Sequence, residues 1–295
     1  MLLLVDGNAL LYRAFFALPD FSNRDVPTNA VYGLGSMLHK ALTDYRPSHI
    51  AVCFDAKGPN FRNGLLETYQ QHRPAPDAKL VPQFDIAREF LDSAGILRLE
   101  QSGYEADDLI GTLAKRYEEK LSVHILTGDK DMLQLVTDSI HVIMLKTGMS
   151  KVIDYDPATV KELFGLRPEQ IVDLKSLMGD PSDGYKGIPG IGPKTAIELL
   201  REYDTLEGIY EHLTAIKKES LKTALENGKE SAELCKVLAF LKTDLELDVD
   251  LEDMTLKPFP STLRDFFIKY QLRTLAQRYL GLDISAEVSQ QPELF

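Results

Sequence analysis

The chain has 295 residues, 44% of them hydrophobic, enough to bury the core of one large domain or of a domain with a smaller helical companion. No apolar run reaches the roughly 18 residues of a membrane span, and the net charge of −12 speaks against a simple basic nucleic-acid-binding surface. The two cysteines, Cys53 and Cys235, are far apart and are expected as reduced thiols of a cytoplasmic protein.

The first residues, MLLLVDGNALLYRAFF, lack a basic flank and are interrupted by Asp6, so they read as a core strand entering a helix rather than as a signal peptide. Short apolar runs at Leu2–Val5, His49–Phe54, His124–Thr127 and His141–Leu145 predict buried parallel strands. Helical periodicity lies between them at Val31–Tyr45, Phe84–Ala94 and Ala106–Lys120. This alternation predicts a doubly wound α/β sheet over residues 1–155. Asp156-Pro157 predicts a capped helix start, and helical patterns then continue over 156–280. The segment Lys57–Pro82, with four prolines and Arg62, Arg73 and Lys79, follows a strand directly and suits a substrate-gripping excursion, although its composition also fits a solvated loop.

Three predicted strands end in acids: Asp6, Asp55, and the pair Asp129 and Asp131. Ligands of open α/β sheets bind outside the carboxyl ends of the strands, so these acids are expected to meet there. GYEADDLIG adds Glu105, Asp107 and Asp108 at a helix start, and GDPSDG adds Asp180 and Asp183. The helix macrodipole accounts for one or two acids in a first turn but not for three beside an apolar run. So many carboxylates cannot all stay ionised side by side without counter-charge. Hard divalent cations supply it, and no Cys/His spacing suggests zinc. Such a site can hold two ions about 4 Å apart, and the chemistry this implies is phosphodiester hydrolysis.

Gly187-Ile188-Pro189-Gly190-Ile191-Gly192, followed by Pro193-Lys194-Thr195-Ala196, is a glycine-rich turn opening a helix. Its amides and the nearby Lys186 and Lys194 suit a sequence-independent grip on a phosphate backbone, as in a helix–hairpin–helix spanning 184–196.

The motifs VDGN, FDAKG, GYEADD, TGDKDMLQLV, the GD-x-SD pair and GIPGIGPKTA occur in order over residues 1 to 275 and resemble the bacterial 5′–3′ exonuclease and flap endonuclease family. The resemblance implies the PIN-like 5′ nuclease fold with a helical hairpin region, and Mg²⁺-dependent cutting of DNA at 5′ flaps, nicks and single-stranded 5′ ends in replication and repair. Mn²⁺ would substitute for Mg²⁺. Asp6, Asp55, Asp107 and Asp108 would serve one ion, with Glu105 near both, and Asp129, Asp131, Asp180 and Asp183 the other. Residues 56–82 would form the arch over the 5′ strand. Arg13, Arg62 and Arg73 would contact phosphates, Tyr69 would stack on a base, and the hairpin residues Lys186, Gly187, Gly190, Gly192, Lys194 and Thr195 would hold the duplex, with K⁺ on the hairpin carbonyls.

Two positions depart from the family pattern. Gln70 stands where the arch usually carries a lysine aimed at the scissile phosphate, which leaves Lys79 or His72 to compensate. DGYKGIPG stands for the usual DNIPGVPG, altering the duplex grip. The C-terminal stretch 281–295 is expected to be a flexible tail, and Gln291, Leu294 and Phe295 have the Q-x-x-L-F form of peptides that dock on the bacterial sliding clamp. A free docking peptide implies a stand-alone nuclease; separately, the chain is expected to be a monomer with no membrane partner. The competing readings are a DNA-junction binder without hydrolysis, supported by Gln70, a metal-dependent RNase, and the nuclease domain of a longer polymerase.

Overall fold

The computed structural model describes residues 1–23, 26–145 and 152–290. Its centre is a six-stranded sheet of β1 (Leu2–Asp6), β2 (His49–Cys53), β3 (Leu97–Leu99), β4 (Val123–Thr127), β5 (Ile140–Leu145) and β6 (Val152–Tyr155), in the order β3-β2-β1-β4-β5-β6. The first five strands are parallel, and β6 closes one edge antiparallel to β5. The four strands expected from apolar runs are present within a residue or two of their expected ends. β3 and β6 are additions: LRL is too short, and VIDY too polar, to stand out as a strand.

Every residue of LLLVD is buried because both faces of the sheet are covered. One face packs on α1 (Gly7–Ala17), α2 (Asn29–Tyr45) and, past the short α3 (Phe61–Leu65), α4 (Val81–Ala94) through Leu3, Val5, Leu34 and Phe90. The other packs on α5 (Ala106–Tyr117) through Leu2, Leu4, Ile110 and Ile125. The strand order reverses direction on either side of β1. The crevice between the carboxyl ends of β1 and β4 is therefore the topological switch point, where ligands of such sheets bind.

Past β6 the chain is helical. Asp156 caps α6 (Pro157–Phe164) by accepting from Thr159 N at 2.7 Å, with Pro157 at the first helical position as the sequence predicted. Helices α7 (Gln170–Met178), α8 (Pro193–Tyr203), α9 (Leu206–Glu211) and α10 (Glu219–Ala239) surround their own core of Leu177, Ile188, Leu199, Leu200, Ile209 and Leu225. The helical region does not stay apart to residue 280. α11 (Ser261–Lys269) and α12 (Arg273–Leu280) return to the sheet domain and bury Leu263, Phe267 and Leu275 against α2 and α4.

The expected flexible tail is also corrected in part. A short helix at Ser285–Gln290 follows α12, and Ile284 and Val288 are buried in the sheet-domain core. Two apolar anchors one helical turn apart hold this stretch down. The expected clamp-docking residues Gln291, Leu294 and Phe295 lie outside the described residues. Among the described residues no helix is long and apolar enough to cross a membrane.

Candidate active site

The acids at the strand ends converge because a doubly wound parallel sheet puts the carboxyl ends of β1, β2 and β4 on one edge. Asp6 ends β1 and caps α1, accepting from Ala9 N at 2.9 Å and from the Thr127 hydroxyl at 2.8 Å. Asp55, two residues past β2, accepts from Ala106 N at 2.8 Å and from the Asn8 amide at 2.7 Å. Asp129 caps the short turn after β4, taking a 2.8 Å bond from Asp131 N. A cavity of about 160 Å³ is lined by Asp6, Asp55, Glu105, Asp107, Asp129, Asp131 and Asp183. Asp180 adjoins it, since one oxygen each of Asp131, Asp180 and Asp183 lie within 4.8 Å of one another. Eight of the nine expected acids are thus together.

The ninth, Asp108, is not. It is fully buried and faces away from the cavity. Arg62 grips its two oxygens at 2.8 and 2.9 Å, and Lys242 N and Glu105 N complete its shell at 2.9 and 3.2 Å. With both oxygens committed, Asp108 is a structural anchor. Glu105 is the N-cap of α5, and Asp108 three residues on reaches back to its amide, forming a reciprocal capping box.

Burial and mutual repulsion hold several of these carboxyls above their ordinary range. Asp6 is raised to about 7 by burial, with Asp55 and Asp129 adding to it. Burial raises Glu105 to about 7 against the opposing pull of Arg62. Asp131 rises to about 7 through burial and the adjacent Asp129, with Lys175 pulling the other way. Asp107 is pushed well above its usual value by burial and by Asp129 and Asp6. Asp180 is the exception: burial pushes it up, but Lys175 and Ser182 outweigh that and hold it low.

Lys175, which the sequence reading missed, donates its ammonium to both Asp131 and Asp180. It projects from α7, which leads straight into the GDPSDG acids. The one lysine of the helix QIVDLKSLM, five residues before Asp180, was the available signal.

The arch residues behave differently from expectation. Arg62 is only 1% exposed, so it meets Asp108 and Glu105 instead of DNA. Tyr69 is buried, stacks on Tyr185 at 6.4 Å and donates its hydroxyl to Glu105 at 3.2 Å, leaving no face for a base. The Gln70 amide lies within donor reach of Tyr69 Oη (3.1 Å), Glu105 Oε1 (2.9 Å) and Asp183 Oδ1 (3.0 Å). Its backbone sits at φ 57°, pinned by a 2.9 Å bond from its N–H to Asp183 O. Arg73 remains half exposed at the rim, donating to Asp183 at 2.5 Å and to Ser182 O at 3.2 Å. Arg13 lies part-buried on α1. Neither expected substitute for the missing lysine lines this cavity: His72 packs near Gly184, and Lys79 pairs with Asp20.

In the hairpin, Gly179–Asp180 and Tyr185–Lys186 form a two-residue antiparallel ribbon, and Gly190, Gly192 and Lys194 are exposed at the turn before α8, with Thr195 half-buried. Gly187 is buried. A Cβ there would lie 2.3 Å from Gly179 N, so this glycine serves close backbone packing instead of a ligand contact.

Comparison with known proteins places this geometry. The family description "5′-3′ exonuclease, N-terminal resolvase-like domain" matches residues 1–165, and "5′-3′ exonuclease, C-terminal SAM fold" matches 166–262. A 5′-3′ exonuclease of Bacillus subtilis (strain 168) is 38% identical over 277 residues, 92% of this chain and 93% of that protein. DNA polymerase I of the same organism is 44% identical over 296 residues, covering 99% of this chain. The chain spans about a third of the length of that polymerase. Solved structures of phage T5 share the fold. Its 5′-exonuclease with bound zinc has a TM-score of 0.69 at 22% identity, covering 92% of this chain and 98% of that one. Its flap endonuclease with DNA and metal ions has a TM-score of 0.67 at 21% identity, covering 98% and 99%. The two family matches follow one another along the chain, and together with the 38% identical exonuclease they show that the chain belongs to the 5′–3′ exonuclease family.

Proposed function

We propose that the chain is a Mg²⁺-dependent 5′–3′ exonuclease and structure-specific flap endonuclease acting on branched or nicked DNA in replication and repair. The observation that carries this reading is the convergence of seven carboxylates on one small cavity at the switch point of the sheet. All are hard oxygen donors, and several are held above their usual pKa by burial and by one another's charge, so the set suits hard divalent ions. When bound, two Mg²⁺ ions, or Mn²⁺ in their place, would polarise the scissile phosphate, activate the attacking water and stabilise the leaving oxygen. Asp6, Asp55, Asp107 and Asp129 would hold one ion, and Asp131, Asp180 and Asp183 the other, with Glu105 between the groups.

Around that cavity the protein's own groups orient the substrate. Arg73 at the rim is placed to meet a phosphate near Asp183. Arg13 would contact the incoming strand. Gly190, Gly192, Lys186, Lys194 and Thr195 would grip the duplex backbone, assisted by K⁺ on the hairpin carbonyls. Arg62 and Tyr69 stiffen the arch by tying it to Glu105 and Asp108.

Cleavage of a 5′-labelled flap duplex tests the proposal. Release of the flap is expected with Mg²⁺, and loss of release with EDTA or in Asp129→Ala. Tight flap binding without cutting under any divalent ion would replace it with the junction-binder reading, which the neutral Gln70 favours.

A further inference from the structure

A second constellation lies at the opposite end of the same strands. His124 and His141 pair across β4 and β5 in the parallel register, with ring centroids 5.2 Å apart. On β6, Asp154 pairs with Ile143, which puts its side chain on the same face as His141. Its Oδ1 lies 3.0 Å from His141 Nδ1. One donor atom from each of the three residues falls within 4.8 Å of the others. The catalytic acids leave the carboxyl end of β4, while His124 sits near its amino end, three residues or about 10 Å from Thr127 at ~3.3 Å per residue.

A cross-strand His–Asp hydrogen bond accounts for His141 and Asp154, but it leaves His124 unexplained. Its Nδ1 is buried and has no hydrogen-bond partner. The Tyr45 ring at the end of α2 packs 5.4 Å from the imidazole, with His141 at 5.2 Å. A buried polar nitrogen left unpaired costs roughly 1–3 kcal/mol, and such atoms are uncommon.

We propose that His124, His141 and Asp154 form a second metal site that takes Zn²⁺, with two imidazoles and one carboxylate from three adjacent strands and a fourth position open to solvent. Zn²⁺ binds imidazole nitrogen at about 2.0–2.1 Å and carboxylate oxygen at about 2.0–2.2 Å. Donors already within 4.8 Å of one another need only small side-chain rotations to meet those lengths. Burial lowers the His124 pKa and keeps the ring neutral, as a ligand must be. The nitrogen donors separate this site from the all-oxygen cavity, which selects harder ions. Bound zinc ties the antiparallel edge strand β6 to β4 across β5, so the site acts on stability of the sheet edge and takes no part in hydrolysis.

Titration of the metal-free protein with Co²⁺ tests the site, because tetrahedral Co²⁺ with nitrogen ligands absorbs visible light intensely while six-oxygen Co²⁺ absorbs weakly. One equivalent is expected to give the intense band in the wild type and in Asp131→Ala. The affinity read from the band is expected to fall at least about tenfold in His141→Ala and in Asp154→Asn, by analogy with losses around other metal sites. His141 and Asp154 are 27% and 45% exposed, and unchanged circular dichroism confirms that the variants are folded. Absence of the intense band from the wild type, or its persistence at full strength in folded His141→Ala, would overturn the proposal.

Discussion

Arg62 grips Asp108 with both ends of its guanidinium, at 2.8 and 2.9 Å, in a place where neither side chain is more than 1% exposed. The same guanidinium donates to Glu105 Oε2 at 2.7 Å and to the carbonyls of Leu238 and Phe240. One residue of the arch therefore fastens α5 and the end of α10 behind the cavity. Removing one partner of a buried pair leaves the other charge uncompensated, at a cost of about 3–5 kcal/mol. Arg62→Leu is expected to lose that much in urea unfolding with EDTA present, while Arg62→Leu combined with Asp108→Leu recovers part of it. A loss below about 1 kcal/mol for the single variant would mean that the pair is not an anchor.

The ammonium of Lys175 neutralises Asp131 and Asp180 where the second ion is proposed to bind. A divalent cation has to compete with it. In Lys175→Met that competition is gone, and Mn²⁺ affinity measured calorimetrically is expected to rise by roughly tenfold, the factor that 1.4 kcal/mol gives. The metal-free variant is expected to melt at a lower temperature, since two buried carboxylates then face each other without counter-charge. Weaker Mn²⁺ binding would show instead that Lys175 positions the two aspartates as ligands.

The raised carboxyls set a pH dependence whose sign differs from that of ordinary salt-bridged acids. Asp6, Glu105 and Asp131 are raised to about 7 in the folded chain, with burial as the leading cause. In the unfolded chain they titrate near 4. Between those values the folded state binds more protons, so without metal its stability falls as pH rises, until the groups have ionised above about pH 7. Melting in EDTA is expected at a lower temperature at about pH 8 than at about pH 5.5, and Mg²⁺ should raise it most at the higher pH, where ligands need no deprotonation. A melting temperature that climbs steadily with pH in EDTA would contradict this picture of the cavity.

Strand-end acids were legible in the sequence because two facts travel together there: a short apolar run fixes a buried parallel strand, and the residue after it must surface at the carboxyl edge. Asp6, Asp55 and Asp129 follow from that alone. Arg62 and Tyr69 were misread because a stretch rich in proline and polar residues looks solvated, and nothing local shows that Asp108 and Glu105 draw both side chains inward. Gly187 was misread for a similar reason, since a glycine for backbone packing and a glycine for phosphate approach have the same signature. The return of α11 and α12 to the sheet domain was invisible for a different reason. Amphipathic helices announce that they pack, but not against which partner.

Gln70 stands where the resemblance leads one to expect a lysine, and its contacts make the consequence testable. Its neutral amide joins Glu105 to Asp183 at 2.9 and 3.0 Å across the cavity. A lysine at this position would bring a full charge to the same two acids, and in the reaction to a phosphate between them. Charge placed where negative charge develops is strengthened in a water-poor site, so Gln70→Lys is expected to raise the single-turnover flap-cleavage rate by about tenfold, or ~1.4 kcal/mol of barrier. The same cation repels the metal ions, so the Mg²⁺ concentration for half-maximal rate should rise together with the rate. Gln70→Met separates the two roles: it removes the bridge without adding charge, and should loosen the arch with little gain in rate. If Gln70→Lys changes neither the rate nor the Mg²⁺ requirement, the side chain at this position does not reach the reacting phosphate, and the amide bridge is purely structural.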